Sequence, residues 1–241
     1  MAMIQFREFM KDSYILQIET ATPVCSVALS KNGKTIVTQD ADLPNQHASQ
    51  LTIFIEQVLQ KAGIAREDLS AVAVSMGPGS YTGLRIGVST AKGMCYGLDL
   101  PLIGINTLDA MVTGFIHDGS KALGKTILVP MIDARRMEVY MATYTERGEM
   151  LRDTSAEIID VDFFNPTSEV SNYVLFGSGA DKFVPLFAEQ PAVEVVSGFA
   201  NTAAHLSSLA FEKYQQAAWE DLVYFEPFYL KDFIATTPKR R

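Results

Sequence analysis

Apolar and polar residues alternate in three short runs near the start of the chain, and apolar residues then recur at helical spacing. The alternating runs cover residues 14–18, 24–30 and 35–40, which predicts three strands. Asn32-Gly33 lies between the second and third runs, and this dipeptide is typical of a tight hairpin turn. Over residues 47–61 the apolar positions return every three or four residues, which predicts an amphipathic helix.

A second strand and helix follow over residues 69–96. An apolar run predicts a buried strand, and Gly77, Pro78 and Gly79 end it before a helix that we expect to start near Thr82 or Gly83. With a further strand at residues 102–105, the predicted order is βββαβαβ. Backbone N–H groups in the glycine-rich turn could bind an anion. A partner protein could use the same surface.

The second half of the chain repeats the pattern of the first. Glu19 and Asp133 occupy the same place at the end of a first strand, and the strand at residues 173–176 runs into Gly177 as the earlier one runs into Gly77. A duplicated meander followed by strand and helix units is typical of the actin-like, ribonuclease-H-like α/β fold. We predict two βββαβα-type lobes, a partner-binding one at residues 1–108 and a second at residues 109–241, with the last segment able to pack back on the first lobe. Two unrelated α+β domains remain the alternative.

Composition and charge narrow the function classes. The 241 residues carry a net charge of −8, so no broad cationic face is expected to bind a nucleic acid backbone. Cys25 and Cys95 each lie in an apolar run, which favours reduced core thiols in a cytoplasmic protein. No run has the length and apolarity of a signal peptide or membrane span, so we expect no membrane contact.

Three kinds of active site can be tested on the residues. A phosphate-binding P-loop requires Gly-Lys-Ser or Gly-Lys-Thr, whereas Gly83 is followed by Leu84 and Arg85. Ser75 resembles a nucleophile elbow, but the helix starts too late after it. Glu19 and Asp133 could together hold Mg²⁺, as in an actin-like ATPase or kinase. The turns beside them lack glycine for a close phosphate contact.

Five segments, taken together, resemble the TsaB (YeaZ) family. They are IETAT around Glu19, SMGPGSYTGLRIG from Ser75, IDARRMEVY from Ile132, GSGA from Gly177 and PFYLKD from Pro227. The resemblance implies a duplicated actin-like (ASKHA) fold and a non-catalytic paralogue of the enzyme TsaD. Such proteins act with TsaD, the ATPase TsaE and TsaC in the bacterial synthesis of threonylcarbamoyladenosine in tRNA.

The resemblance also implies that a metal site is missing. TsaD-like enzymes carry Asn-His-Leu-Glu-x-His after the corresponding strand, and the two histidines bind a metal from one helical face. Here Thr107 and Met111 stand at the histidine positions. We therefore expect no catalytic residue, no metal ligand and no cofactor. A metallopeptidase of the glycoprotease type is the remaining, disfavoured enzyme class.

Small residues in the helix after the glycine-rich turn indicate close approach of another backbone. We predict that this helix and the helix at residues 47–61 bind a TsaD-like partner as a heterodimer, or a second copy in isolation, and support docking of a TsaE-like ATPase. On this view tRNA is reached only through the complex. Whether Arg85, Arg135 and Arg136 contact tRNA or are simply solvated stays open. The predicted interface consists of Leu51, Phe54, Val58, Arg85, Gly87, Val88, Ala91, Met94 and Cys95.

Overall fold

The computed structural model describes residues 12–42, 47–119, 125–167 and 170–231. The first half confirms the predicted order of strands and helices, and the second helix starts one residue earlier than predicted because Ser80 caps it, its Oγ accepting a hydrogen bond from the Gly83 N–H at 3.3 Å. The elements are β1 (Tyr14–Glu19), β2 (Val24–Lys31), β3 (Lys34–Asp42), α1 (His47–Ala62), β4 (Leu69–Gly77), α2 (Tyr81–Leu98), β5 (Leu102–Asn106) and α3 (Thr107–His117).

These strands form one five-stranded sheet in the order β3-β2-β1-β4-β5. β1 pairs antiparallel with β2 and parallel with β4. Because side chains alternate along a strand, Leu16 and Ile18 pack under α1 and α2, whereas Ile15 faces the opposite layer. The sheet therefore has a helix-covered outer face and an inner face that meets the rest of the chain.

The second half contains a second five-stranded sheet in the order β8-β7-β6-β9-β10. This order matches that of the first sheet strand for strand, which confirms the predicted duplication. The second copy is reduced: two short helices replace α2, and the described residues between β8 and β9 hold no helix. Its elements are β6 (Thr126–Asp133), β7 (Glu138–Thr145), β8 (Met150–Ile158), β9 (Asn172–Phe176), a 3-10 turn (Asp181–Phe183), α4 (Val184–Phe187) and β10 (Val193–Val196).

Two helices fill the layer between the sheets. In α3, Ala110 packs on the first sheet while Phe115 packs on the second. A 3-10 turn at Ala203–Leu206 and helix α5 (Ser207–Gln215) follow β10 and return to the inner face of the first sheet. The chain therefore passes from the first sheet to the second and back again.

The segment after α5, residues 219–231, runs from the first sheet to the second. Phe225 is buried in the core beneath α2, and the Phe228 N–H donates to the Met76 carbonyl at 2.7 Å. Lys231 forms an ion pair with Glu138 at the start of β7. This segment, called the C-terminal strap below, ties the two sheets together.

Some expectations fall on residues that are not described. The first eleven residues lie outside the described residues, as do the last ten, which include Asp232 of the PFYLKD segment. Within the described ranges, no helix combines the length and apolarity needed to cross a membrane.

Candidate docking site

Backbone from two other segments of the chain packs directly on the glycine-rich turn after β4. Gly77 has φ +119°, and a Cβ at this position would lie 2.6 Å from the Phe228 carbonyl oxygen of the C-terminal strap. A Cβ at Gly79 would meet Ala21, whose carbonyl already accepts the Ser80 N–H at 2.7 Å. This corrects the expectation of an anion site, because the β1–β2 loop and the strap fill the space over the turn.

Glu19 is fully buried at the end of β1 and its oxygens already have partners. Oε1 accepts the Ala21 N–H at 2.6 Å, and Oε2 accepts the Asn201 side-chain amide at 2.6 Å and the Ser75 hydroxyl. Burial raises the pKa of Glu19 to about 7, while the hydrogen bonds from Ser75 and the backbone oppose that rise. Glu19 thus joins β1, β4 and the loop before α5.

The other residues considered for metal chemistry lie apart. Asp133 is exposed and its Oδ1 lies 2.5 Å from the Lys182 ammonium. Thr107 and Met111 are buried between the sheets. No group of three or more His, Cys, Asp or Glu side chains suited to a metal ion occurs in the part of the chain that the structure describes.

The small residues of α2 divide between two faces. Side chains added at Gly83 and Gly87 would clash with Thr20 in the β1–β2 loop, and Ala91 is fully buried. Gly93 and Gly97 have no other group within 4 Å of an added Cβ. Internal packing therefore explains the first half of the small-residue pattern, whereas the second half is open on the surface.

The structure corrects most of the predicted interface residues. Two of the nine reach the surface: Arg85 is exposed and Met94 is half-buried. The remaining seven belong to the core under α1 and α2, because their helix faces cover the first sheet: Leu51, Phe54, Val58, Gly87, Val88, Ala91 and Cys95. A partner can reach these two helices only through their outward faces.

The outward faces of α1 and α2 enclose a groove, called the α1–α2 groove below. It has a volume of about 410 Å³. An ion pair between Arg66 and Glu56, 2.8 Å apart, lies at its edge. The lining residues are Thr52, Ile55, Glu56, Arg66, Thr90, Gly93, Met94, Gly97 and Leu98. The groove therefore has a largely apolar floor, in which two glycines expose the backbone of α2.

Apolar side chains on these two helices are also exposed to water. Ile53 on α1 is 44% exposed and Tyr96 on α2 is 83% exposed. The sequence contained a signal for both, because each interrupts the polar side of its helix. The prediction missed them because it followed the apolar stripe, which in both helices faces the core.

Comparisons with known proteins identify the relatives of this fold. A sequence model described as TsaD, tRNA N6-adenosine threonylcarbamoyltransferase, matches residues 40–233. The tRNA threonylcarbamoyladenosine biosynthesis protein TsaB of Escherichia coli (strain K12) is 31% identical, and the alignment covers 92% of this chain and 96% of that protein.

Solved structures share the fold of this chain. A Pseudomonas aeruginosa protein described as similar to the peptidase YEAZ superimposes with a TM-score of 0.78 at 24% identity, covering 91% of this chain and all of that one. Component A of the Acidaminococcus fermentans (R)-2-hydroxyglutaryl-CoA dehydratase superimposes with a TM-score of 0.50 at 12% identity, covering 84% of this chain and 99% of that one, and shows the fold alone. The duplicated actin-like fold is confirmed, and this chain belongs to the TsaB (YeaZ) family.

Proposed function

We propose that this chain is a non-catalytic subunit in tRNA threonylcarbamoyladenosine biosynthesis, which binds a TsaD-like partner through the α1–α2 groove. The observation that carries the proposal is the open surface at Gly93 and Gly97, beside a groove with an apolar floor. The match of this chain to a TsaD sequence model supports a partner that is a paralogue of the same fold. Such a partner can present the same two helices to the groove.

The energetics of α2 support a helix as the occupant. Glycine in an exposed helix interior costs on the order of 1 kcal/mol relative to alanine. Inside the chain, Gly87 is explained by its contact with Thr20, but Gly93 and Gly97 gain no such contact. A partner helix packed on the exposed α2 backbone would explain why these two positions carry no side chain.

The buried polar groups support a subunit without its own active site. Both Glu19 oxygens accept hydrogen bonds from the chain itself, and the glycine-rich turn is covered by the C-terminal strap. Neither feature favours the alternatives of an ATPase, a kinase or a metallopeptidase. In this proposal the chain stabilises the TsaD-like enzyme, and a TsaE-like ATPase docks on the assembled pair.

A second copy of the chain is the expected occupant of the groove when the TsaD-like partner is absent. The same helices would then meet around a two-fold axis, since one surface patch can complement itself. The homodimer and the heterodimer compete for one surface, so the partner is expected to dissociate the homodimer.

The experiment that tests the proposal places a large charged side chain in the groove. Gly93→Arg is expected to abolish co-purification with the TsaD-like partner without lowering the melting temperature of the isolated chain, because the site is open. Gln215→Arg adds the same charge at an exposed position on α5 and is the matched control. Undiminished binding by Gly93→Arg would refute this docking site.

A further inference from the structure

We propose that Arg85, Arg135 and Arg136, together with Tyr81 and Tyr229, form an RNA-binding surface at the edge between the two sheets. This surface is called the arginine edge below. It lies apart from the α1–α2 groove, whose lining residues it does not share. The inference rests on the proposed function, because it identifies RNA as a direct ligand of this chain.

Three segments distant in sequence converge at the arginine edge. The Arg85 guanidinium on α2 lies 4.1 Å from the Tyr81 ring centroid, and its Nε donates to the Tyr229 hydroxyl of the C-terminal strap at 3.3 Å. Two residues further along the strap, Lys231 pairs with Glu138 at the end of the β6–β7 turn. That turn carries Arg135 and Arg136, so the strap connects the cation on α2 with the two cations of the second sheet.

Two lysines at the arginine edge are paired with carboxylates, so the three arginines carry the positive charges that can contact a ligand. Asp133 and Glu138 are the acidic residues that flank the turn, and each is paired with a lysine, Lys182 and Lys231 respectively. None of the three arginines forms an ion pair with another described residue. In a chain of net charge −8 this local positive excess separates the arginine edge from the rest of the surface.

The backbone of the β6–β7 turn holds its arginines in an uncommon conformation. Arg135 and Arg136 have φ values of +75° and +54°, although neither is a glycine. Residues in sparsely populated backbone regions cost about 1–3 kcal/mol each and persist where the surroundings fix them, which occurs most often at functional sites. Here the Arg135 N–H donates to Asp133 Oδ1 at 3.1 Å, and its carbonyl accepts the Glu138 N–H at 3.1 Å.

The chemistry of the edge favours RNA over an acidic protein. Arginine binds phosphate oxygens through a planar fork of donors and also stacks on bases. Tyr81 and Tyr229 are partly exposed, with ring centroids 4.8 Å apart, and aromatic rings beside cations are the usual platform for unstacked bases. A loop of tRNA presents both groups, whereas an acidic peptide presents carboxylates alone.

The test measures binding of a fluorescein-labelled, unmodified tRNA transcript to the chain, alone and in complex with its TsaD-like partner. Fluorescence anisotropy gives Kd at several NaCl concentrations. The variant R85A/R135A/R136A removes the three arginines. K34A/R147A/R152A removes three cations from exposed positions elsewhere and reaches the same net charge, so it is the matched control.

The arginine variant is expected to bind tRNA about tenfold more weakly near 0.1 M salt. The slope of log Kd plotted against log salt concentration is expected to fall by about two, since each phosphate contact contributes about 0.7–0.9 to that slope. The control is expected to bind like the wild type. Equal tRNA binding by the wild type and the arginine variant would overturn the inference. So would polyglutamate competing as well as unlabelled tRNA.

Failure of this inference is distinguishable from failure of the proposed function. The variant R135A/R136A, which keeps Arg85 of the predicted partner interface, is expected to retain the wild-type affinity for the TsaD-like partner, because it leaves the lining of the groove unchanged. If the chain binds the partner but the arginine variant has the same Kd for tRNA as the wild type, the inference is overturned and the proposed function stands. If the wild-type chain does not bind the partner, the proposed function fails, and the tRNA result for the isolated chain decides the inference on its own.

Discussion

Replacing Glu19 with glutamine is expected to remove a specific dependence of the chain's stability on pH. The wild-type carboxyl is fully buried, and burial raises its pKa from 4.5 to about 7. The folded state therefore binds a proton that the unfolded state releases between these two pKa values. Stability from this group is fully present below pH 4.5 and is lost as the pH rises through 7.

The size of the effect follows from the pKa difference. One pKa unit corresponds to about 1.4 kcal/mol, so the rise to about 7 costs the folded state about 3 kcal/mol of stability between acid pH and pH 8. For a chain of this length, 1 kcal/mol shifts the melting temperature by about 2–4 °C, which predicts a total shift of roughly 6–12 °C. The neutral glutamine keeps an oxygen acceptor and has no proton to lose.

The assay compares melting curves of the wild type and Glu19→Gln, followed by circular dichroism from pH 5 to pH 8. Other groups also titrate: burial lowers the pKa of His205, which acts in the opposite direction, and raises that of Asp109, which acts in the same direction as Glu19. The difference between the two proteins isolates Glu19, and Glu146→Gln, at an exposed position, is the control. A wild-type-minus-variant difference that does not change with pH would refute the reasoning.

Two further predictions concern α2 and the cysteines. Gly87→Ala is expected to lower the melting temperature because its methyl group would clash with Thr20 in the β1–β2 loop. Gly93→Ala is expected to raise the melting temperature by up to about 2–4 °C, since it gains up to about 1 kcal/mol of helix propensity. Melting temperatures that shift in the same direction in both variants would contradict this reading. Burial raises the pKa of Cys25 to about 11 and that of Cys95 to about 12. Neither thiol is expected to react with Ellman's reagent at pH 8 until urea unfolds the chain, and rapid reaction of the native protein would disprove the burial.

The succession of strands and helices in the first half could be predicted from local patterns, and the duplication from the recurrence of such patterns in the second half. The Asn32-Gly33 turn and the alternating runs are each visible within a few residues. The duplication is visible because Asp133 ends a strand of the second half as Glu19 ends β1. The structure confirms the duplication in the matching order of the two sheets. The shortening of the helices in the second half could not be predicted, because only the strand pattern repeats clearly in the sequence.

The sequence predicted which two helices form the proposed docking site, but not which of their residues face outward. A small residue indicates close packing, but the sequence does not say whether the neighbour belongs to the same chain. Gly87 and Gly93 are both glycines within α2, yet Gly87 packs against Thr20 whereas Gly93 faces open space. The cause lies in the β1–β2 loop, which is distant in sequence and is brought to α2 by the sheet.

The arginine edge was visible in the sequence only as separate cations. Arg85 and Arg136 are far apart along the chain, and no pattern relates them. The C-terminal strap relates them, because its Tyr229 contacts Arg85 on α2 and its Lys231 pairs with Glu138 at the start of β7. Such a surface depends on tertiary structure, which residue spacing does not reveal.

The return of the chain to the first sheet has a consequence for biosynthesis on the ribosome. The inner face of that sheet is covered by Leu206 and Ala210, and its outer core includes Phe225. A nascent polypeptide that has emerged only as far as β5 therefore exposes apolar surface that nothing yet covers. Completion of this half must wait until residues as far as Phe225 have left the exit tunnel, so the two halves mature together.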